Sequence, residues 1–356
     1  MTERRALSRM KPYVPGRKRE GAVKLASNEN PLGPSPRGME AIQRAAAEVN
    51  LYPDKSATEL REAIARRHDI SPGRVIVGNG SDELLVLIAG SFFNPGDNVV
   101  TGAHTFSQYA FSARLYDAEV RTGPMEEGRF LLEEWTELID ERTRAIFVCN
   151  PNNPTGRYVS HDELTRLLET VPSELLVVVD EAYQEYADAP DFPRAEELLD
   201  RYPNLVVLHT LSKIYGMAGL RVGYALASED IIRSVQKVKQ PFNVGSVAQA
   251  AATAALGDHD FVAQSVDTNV RGRRYLTEEL SRRGFTFYPT QANFICLRVG
   301  GDAREVAETI ADGGVTVRPL NSFDMPEWIR VTIGTEEQNR LFLQALTAAV
   351  ETAVGT

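Results

Sequence analysis

Three uninterrupted apolar runs, Ala145–Cys149 (AIFVC), Leu175–Val179 (LLVVV) and Leu205–Leu208 (LVVL), dominate the middle of the chain. A strand with one wet face alternates polar and apolar residues. A strand with no polar position must be covered on both faces. Helical stretches separate the runs, so the pattern reads as βαβ units in a mostly parallel α/β sheet. Ligands bind such sheets at the carboxyl ends of the strands. Here each run ends in chemistry. NPNNPTG, with Asn153, follows the first; DEAYQEY, with Asp180 and Tyr183, follows the second; TLSKIYGMAGLRVG follows the third. Val75–Val77 and Asn98–Thr101 read as two further short strands.

Lys213 is the only lysine of Thr210–Gly223 and sits among apolar residues and glycines just after a strand. A lysine partly withdrawn from water has a lowered pKa, because burial disfavours the ammonium. Its neutral amine can attack an aldehyde. Thr210 and Ser212 precede it and Arg221 follows it, a set suited to a phosphate monoester. An aldehyde with a phosphate tail describes pyridoxal 5'-phosphate. GNGSDE, Gly78–Glu83, reads as a strand-to-helix turn whose first free N–H groups form a second anion site. It lacks the Gly-Lys-Ser/Thr of a nucleotide loop. Phe106 and Tyr109, three apart after the strand at 98–101, offer either core aromatics or a platform for a planar ring.

With 356 residues the chain is long enough for about two domains. Residues 1–30 read as an arm, 31–250 as the large domain and 251–356 as a smaller α+β domain. In the latter part short strands (285–288, 293–299, 315–318, 328–333) alternate with helices. The charge is -10, from 39 Lys+Arg against 49 Asp+Glu, which argues against a nucleic-acid binder. Cys149 and Cys296 lie in apolar surroundings, read as reduced core thiols, and no cysteine spacing suits a metal. The basic N-terminus lacks the apolar core of a secretory signal. No stretch approaches the roughly 18 apolar residues that span a bilayer. The expectation is a cytoplasmic protein.

In order along the chain, KPYVPG, KLASNENPLGPSP, LYPD, GNGSDE, NPNNPTG, VVVDEAYQEY, TLSKIYGMAGLRVGY and WIRVTIGT resemble fold-type I, class II pyridoxal-phosphate-dependent aminotransferases. Within them the chain is similar to the histidinol-phosphate aminotransferase family, nearly end to end. The resemblance implies a large domain with a seven-stranded-type sheet and a smaller C-terminal domain. It implies that Lys213 bonds the cofactor aldehyde and shuttles a proton, and that Asp180 pairs with the pyridine nitrogen. Tyr183 and Asn153 would hold the ring 3'-oxygen, and Phe106 would stack on the ring. Ser81, Asp82, Thr210, Ser212 and Arg221 would hold the phosphate, with Glu83 beside them. Tyr52 of LYPD would reach the cofactor of a neighbouring subunit, which implies a homodimer. Arg330 would bind the substrate carboxylate, and Tyr13, Asn30, Tyr109 and Arg318 would line the substrate side. The implied reaction converts L-histidinol phosphate and 2-oxoglutarate to imidazole-acetol phosphate and L-glutamate. Relatives with the same motifs act on aromatic 2-oxo acids or decarboxylate threonine phosphate. The Thr105–Phe106 pair departs from the more usual Thr-Tyr at the stacking position, which bears on that choice. A pyridoxal-phosphate-binding transcription regulator is a reading of another class, but only about 25 residues precede the first motif.

Overall fold

The computed structural model describes residues 2–4, 6–10 and 19–354. The apolar runs form the centre of a seven-stranded sheet. Its strands are β1 (Val75–Gly78), β2 (Asn98–Gly102), β3 (Glu119–Gly123), β4 (Thr143–Cys149), β5 (Leu176–Asp180), β6 (Leu205–Thr210) and β7 (Gly223–Ala227). Their spatial order is β1-β7-β6-β5-β4-β2-β3. All neighbours are parallel except β7, which runs antiparallel to both β1 and β6. Every residue of β5, β6 and β7 is buried, as strands covered on both faces must be.

Two strands of this sheet escaped the sequence reading. The β3 segment EVRTG lies at an edge, and its polar residues lack the apolar signature of a central strand. The β7 segment GYALA directly follows the lysine stretch, and its return is decided by pairing. Thr210 faces Gly223 across the β6–β7 ladder. The lysine segment is therefore a loop anchored at both ends by neighbouring strands.

Local signals place the helices. Helix α1 (Pro36–Ala45) has proline in its first turn and Ser35 as N-cap, the Ser35 side chain accepting from Gly38 N–H. Helices α1 and α2 (Thr58–His68) both pack on the helix Ser246–Leu256, and α3 (Gly80–Phe92) and α4 (Gln108–Leu115) leave the carboxyl ends of β1 and β2. The helix at His161–Thr170 opens with a Ser160/Glu163 capping box.

The smaller unit has an antiparallel three-stranded sheet, β8 (Phe294–Arg298), β9 (Arg318–Pro319) and β10 (Trp328–Thr332), with β10 in the middle. The strand expected at 285–288 is reduced to a single bridge, Phe287 to Leu297. Val23–Lys24 pairs with Val315–Thr316, and Leu25 enters the smaller core, so this stretch is stitched into the C-terminal unit. The expected boundary at residue 250 falls within the helix Ser246–Leu256. Ala251, Ala252, Ala255 and Leu256 of that helix pack in the larger core. The change of core occurs along the following helix, His259–Arg282. Val262 and Val266 pack on the larger core, and Leu276 and Leu280 on the smaller. Among the described residues no helix is long and apolar enough to cross a membrane, and no acid, histidine and cysteine group could hold a metal ion.

Candidate active site

A cavity of about 1020 Å³ opens at the carboxyl ends of β4, β5 and β6, with Arg318, Phe323 and Arg330 of the smaller unit on its far wall. One end is built for an anion. Ser81 lies in the first turn of α3, Thr210 ends β6 and Ser212 follows it. Thr210 Oγ1 donates to Ser212 Oγ at 2.9 Å. The Arg221 guanidinium donates to Asp82 Oδ2 at 2.9 Å and to Ser212 Oγ at 3.4 Å. Two glycines let these parts close together. A Cβ at Gly80, where φ is +79°, would lie 2.6 Å from Arg221 Nη2, and one at Gly223 would lie 2.5 Å from the Ser81 nitrogen. Arg221 itself has φ 55°, a left-handed conformation rare outside glycine and typical of functional turns. Hydroxyls, a helix N-terminus and a guanidinium together suit a phosphate.

Lys213 stands beside this cradle. Its Nζ donates to the Ser27 carbonyl at 3.2 Å and lies 5.7 Å from the centre of the Tyr183 ring. Burial, and next the Arg330 charge, bring its pKa down to about 8, against the pull of Glu29 and Asp82. The amine is thus partly neutral near neutral pH. Asp180 closes β5 and is buried. Its carboxylate accepts from Tyr109 Oη–H at 2.7 Å and from Ala182 N–H at 3.1 Å. Burial still pushes its pKa up to about 6 despite those hydrogen bonds. Such a carboxylate gains from a cation placed before it.

Tyr183 and Asn153 flank the lysine. Tyr183 Oη accepts from Asn28 Nδ2 at 3.0 Å, and burial pushes its phenol up. Asn153 Oδ1 accepts from Arg330 Nη1, whose Nη2 donates to the Ala26 carbonyl at 3.0 Å. Arg330 comes from β10 and lies over the Phe294 ring, 5.3 Å to its centre. Phe106 is half-buried and lines the wall.

An amine of lowered basicity, a buried carboxylate, an anion cradle and a second cation thus meet in one cavity. Residues 20–346 match the model of the aminotransferase class I and II family. A histidinol-phosphate aminotransferase of Geobacillus sp. (strain WCH70) is 45% identical over 345 residues, 94% of each chain. The chain belongs to the histidinol-phosphate aminotransferase family. The family member of Caldicellulosiruptor saccharolyticus is 42% identical over 96% of this chain and 98% of its own. The structure of a histidinol-phosphate aminotransferase from Sinorhizobium meliloti, in complex with pyridoxal-5'-phosphate, matches with a TM-score of 0.90 at 26% identity. It covers 98% of this chain and 97% of that one.

The cavity of this aminotransferase gathers Ser81, Asp82, Phe106, Asn153, Asp180, Tyr183, Thr210, Ser212, Lys213, Arg221, Arg318 and Arg330. Arg318 stands at the mouth, 3.5 Å from Ser322 Oγ. Other expected residues lie elsewhere. Tyr109 does not face the substrate side. It is fully buried, stacked on Phe147 at 5.2 Å, because its face of α4 turns toward the sheet. Asn30 also turns away, donating to the Ile214 carbonyl at 2.8 Å and to Ser265 Oγ at 2.9 Å. Glu83 folds back on its own turn, accepting from Asn79 N–H at 2.6 Å and Asn243 Nδ2 at 2.7 Å. Tyr52 is 84% exposed and stacks on Phe242 at 4.8 Å, outside the cavity. Tyr13 lies outside the described residues.

Asn28, Glu29, Gln108 and Arg114 are among the lining residues that went unremarked. Asn28 was within reach of sequence reading, since the SNENP loop offers two asparagines. The first takes the left-handed φ of 56° and points its amide at Tyr183. Asparagine tolerates that conformation better than other non-glycine residues.

Proposed function

We propose that this aminotransferase moves an amino group between L-histidinol phosphate and 2-oxoglutarate, the physiological flow giving L-histidinol phosphate in histidine biosynthesis. Its cofactor is pyridoxal 5'-phosphate, whose ring, when bound, takes up the electrons left as a proton departs the substrate α-carbon. The donor set fits that group. The cradle of Ser81, Thr210, Ser212 and Arg221 would hold its phosphate, and Asp180 would hold the proton on its ring nitrogen. A carboxyl raised to about 6 by burial is stabilised by such a positive neighbour. Tyr183 and Asn153 would face the ring oxygen, and Phe106 would cover one ring face.

Lys213 would hold the aldehyde end. Its Nζ would take up the proton that leaves the substrate α-carbon and later return it. Burial keeps that amine neutral often enough to serve as a base. Arg330 would bind the substrate anion, with Arg318 second at the mouth. A planar guanidinium fork accepts either a carboxylate or a phosphate, so one site can take glutamate and histidinol phosphate in turn. Tyr52, with exposed Val49, Leu51 and Phe242 around it, would form part of a homodimer interface and reach the neighbouring subunit's cofactor. Two buried free thiols suit the reducing cytoplasm, where we place the enzyme.

The observation that carries this reading is the convergence of Lys213, Asp180 and Arg221 on one cavity beside Arg330. A half-reaction tests it. The protein incubated with pyridoxal 5'-phosphate is expected to turn yellow, and L-histidinol phosphate to bleach the colour faster than L-phenylalanine. The reverse ranking would make the enzyme an aromatic aminotransferase. Absence of colour would remove the cofactor assignment.

A further inference from the structure

Asp180 and Thr210 face the cavity. Their chain neighbours, Glu181 and His209, face the other side of the sheet, because side chains alternate along a strand. There the two meet. Glu181 Oε2 lies 3.8 Å from His209 Nε2, and the side chains are 0% and 3% exposed. Among the described residues neither atom has a hydrogen-bond partner. The 3.8 Å between them is about 1 Å more than a direct hydrogen bond, a difference that a small rotation of either side chain would close. Buried polar atoms left unpaired are costly, so the two orphans call for one remedy.

We propose that Glu181 and His209 share one proton, the neutral Glu181 carboxyl donating to Nε2 of a neutral imidazole, and that this pair positions Asp180 and Thr210 for the cofactor. The second half rests on the reading of the cavity given above. The surroundings decide the proton's place. Burial and three acids, Glu196, Glu185 and Asp180, push the Glu181 carboxyl well up. Burial, His68 and Arg67 push the His209 imidazole well down. Both influences remove charge, so an ion pair is disfavoured and an O–H···N bond satisfies both atoms. Tyr224 stacks on His209 at 4.9 Å, but its hydroxyl is engaged with His68 Nε2 at 2.9 Å. It offers His209 no alternative partner.

The positioning role follows from the register. The β5–β6 ladder ends at the Asp180–Leu208 pair. Glu181 N–H then bonds the Leu208 carbonyl at 2.9 Å, and the side-chain pair extends the crosslink to His209. It ties together two strand ends at the level where the acid and the hydroxyl emerge on the cavity side.

Two measurements test this. Infrared spectra of the cofactor-free protein at neutral pH are expected to show a protonated-carboxyl carbonyl band that disappears in Glu181→Gln. A difference spectrum without that band overturns the shared proton. Pyridoxal 5'-phosphate retention against dialysis tests positioning. Glu181→Gln, whose amide can still donate to Nε2, is expected to bind within about twofold of the parent, and Glu181→Met about tenfold more weakly. Glu181→Met is also expected to shift the pH midpoint of the bound cofactor's absorbance, which a loss of stability alone would leave in place. Equal retention by Glu181→Met and parent overturns the positioning role. His209→Leu reads the same quantity from the other side, and the double variant is expected to match the weaker single one, as for residues acting as a unit. A parent protein that takes up no cofactor overturns the cavity reading and the positioning role with it, while the infrared band still decides the proton.

Discussion

Asp180 and Glu181 are adjacent acids at the end of one strand, and the two sides of the sheet treat them differently. Asp180, on the cavity side, accepts two hydrogen bonds and sits at about 6. Glu181, behind the sheet, accepts one long bond from Ala195 N–H at 3.4 Å and is pushed well up. The basic residues divide the same way. Lys213 in front comes down to about 8, while His209 behind falls well below its ordinary value. The front lines a cavity with a carboxylate, an amine and guanidinium groups on its walls. The back is closed in by protein and, with the pairing proposed above, completes itself by staying neutral. A cavity on one side and packed protein on the other, more than residue type, separate a reactive set from a supporting one.

The sharpest test of the front is Lys213→Ala, which is expected to lower transamination by about 10⁴-fold or more while leaving a folded protein. Turnover measured near the parent rate would break the assignment. Asp180→Asn is next, with kcat expected to fall by about 10³-fold. The same variant probes what the front costs. The folded-state pKa of Asp180 is raised above its ordinary value, so its stabilising effect is present at low pH and is lost as pH rises through about 6. Cofactor-free Asp180→Asn is therefore expected to exceed the parent by about 2 kcal/mol at pH 7 and to lose that advantage near pH 3. Urea unfolding at the two pH values checks the sign.

Arg330→Lys keeps the charge but loses the fork, and kcat/KM is expected to drop by about 10²-fold. The apoprotein's rate of cofactor uptake should rise with pH and level off above about 8, since only the neutral Lys213 amine attacks. A profile flat between pH 6 and 9 would show that another step governs uptake. Tyr109→Phe, which removes one hydrogen bond to Asp180 from behind the cavity, has the smallest expected effect. Stability should fall by about 1 kcal/mol and kcat by a few-fold.

Much of the site was legible because parallel strands deliver their last residues to one edge. NPNNPTG, DEAY and TLSK each follow an apolar run, and Asn153, Asp180, Thr210 and Lys213 all reach the cavity. Glycine spacing was equally readable, since Gly80 and Gly223 stand where a Cβ would strike Arg221 or the Ser81 backbone. Orientation was not. Tyr109 and Phe106 are three apart and expected together, yet one lines the wall and the other backs Asp180. The loop between Phe106 and α4 sets that split, and spacing alone carries no information about it. Strand β7 was missed because an antiparallel return beside a parallel sheet is settled by pairing, with Thr210 across the lysine loop on one side and with Gly78, far off in the chain, on the other.

What the sequence by itself determined is the set of reacting groups and the edge on which they gather. Strand periodicity and turn chemistry are local, and both are written within a few residues of Lys213 and Asp180. What only the tertiary structure decided is which side each neighbour takes and what it meets there. Asn28, with its left-handed φ of 56°, lines the cavity, while Asn30 bonds the Ile214 carbonyl and Ser265. Glu181 finds His209 because the two strands, joined through residues 181–204, pair in a register that sets Asp180 opposite Leu208. Contacts of that kind depend on register between distant segments, and register is a property of the folded sheet.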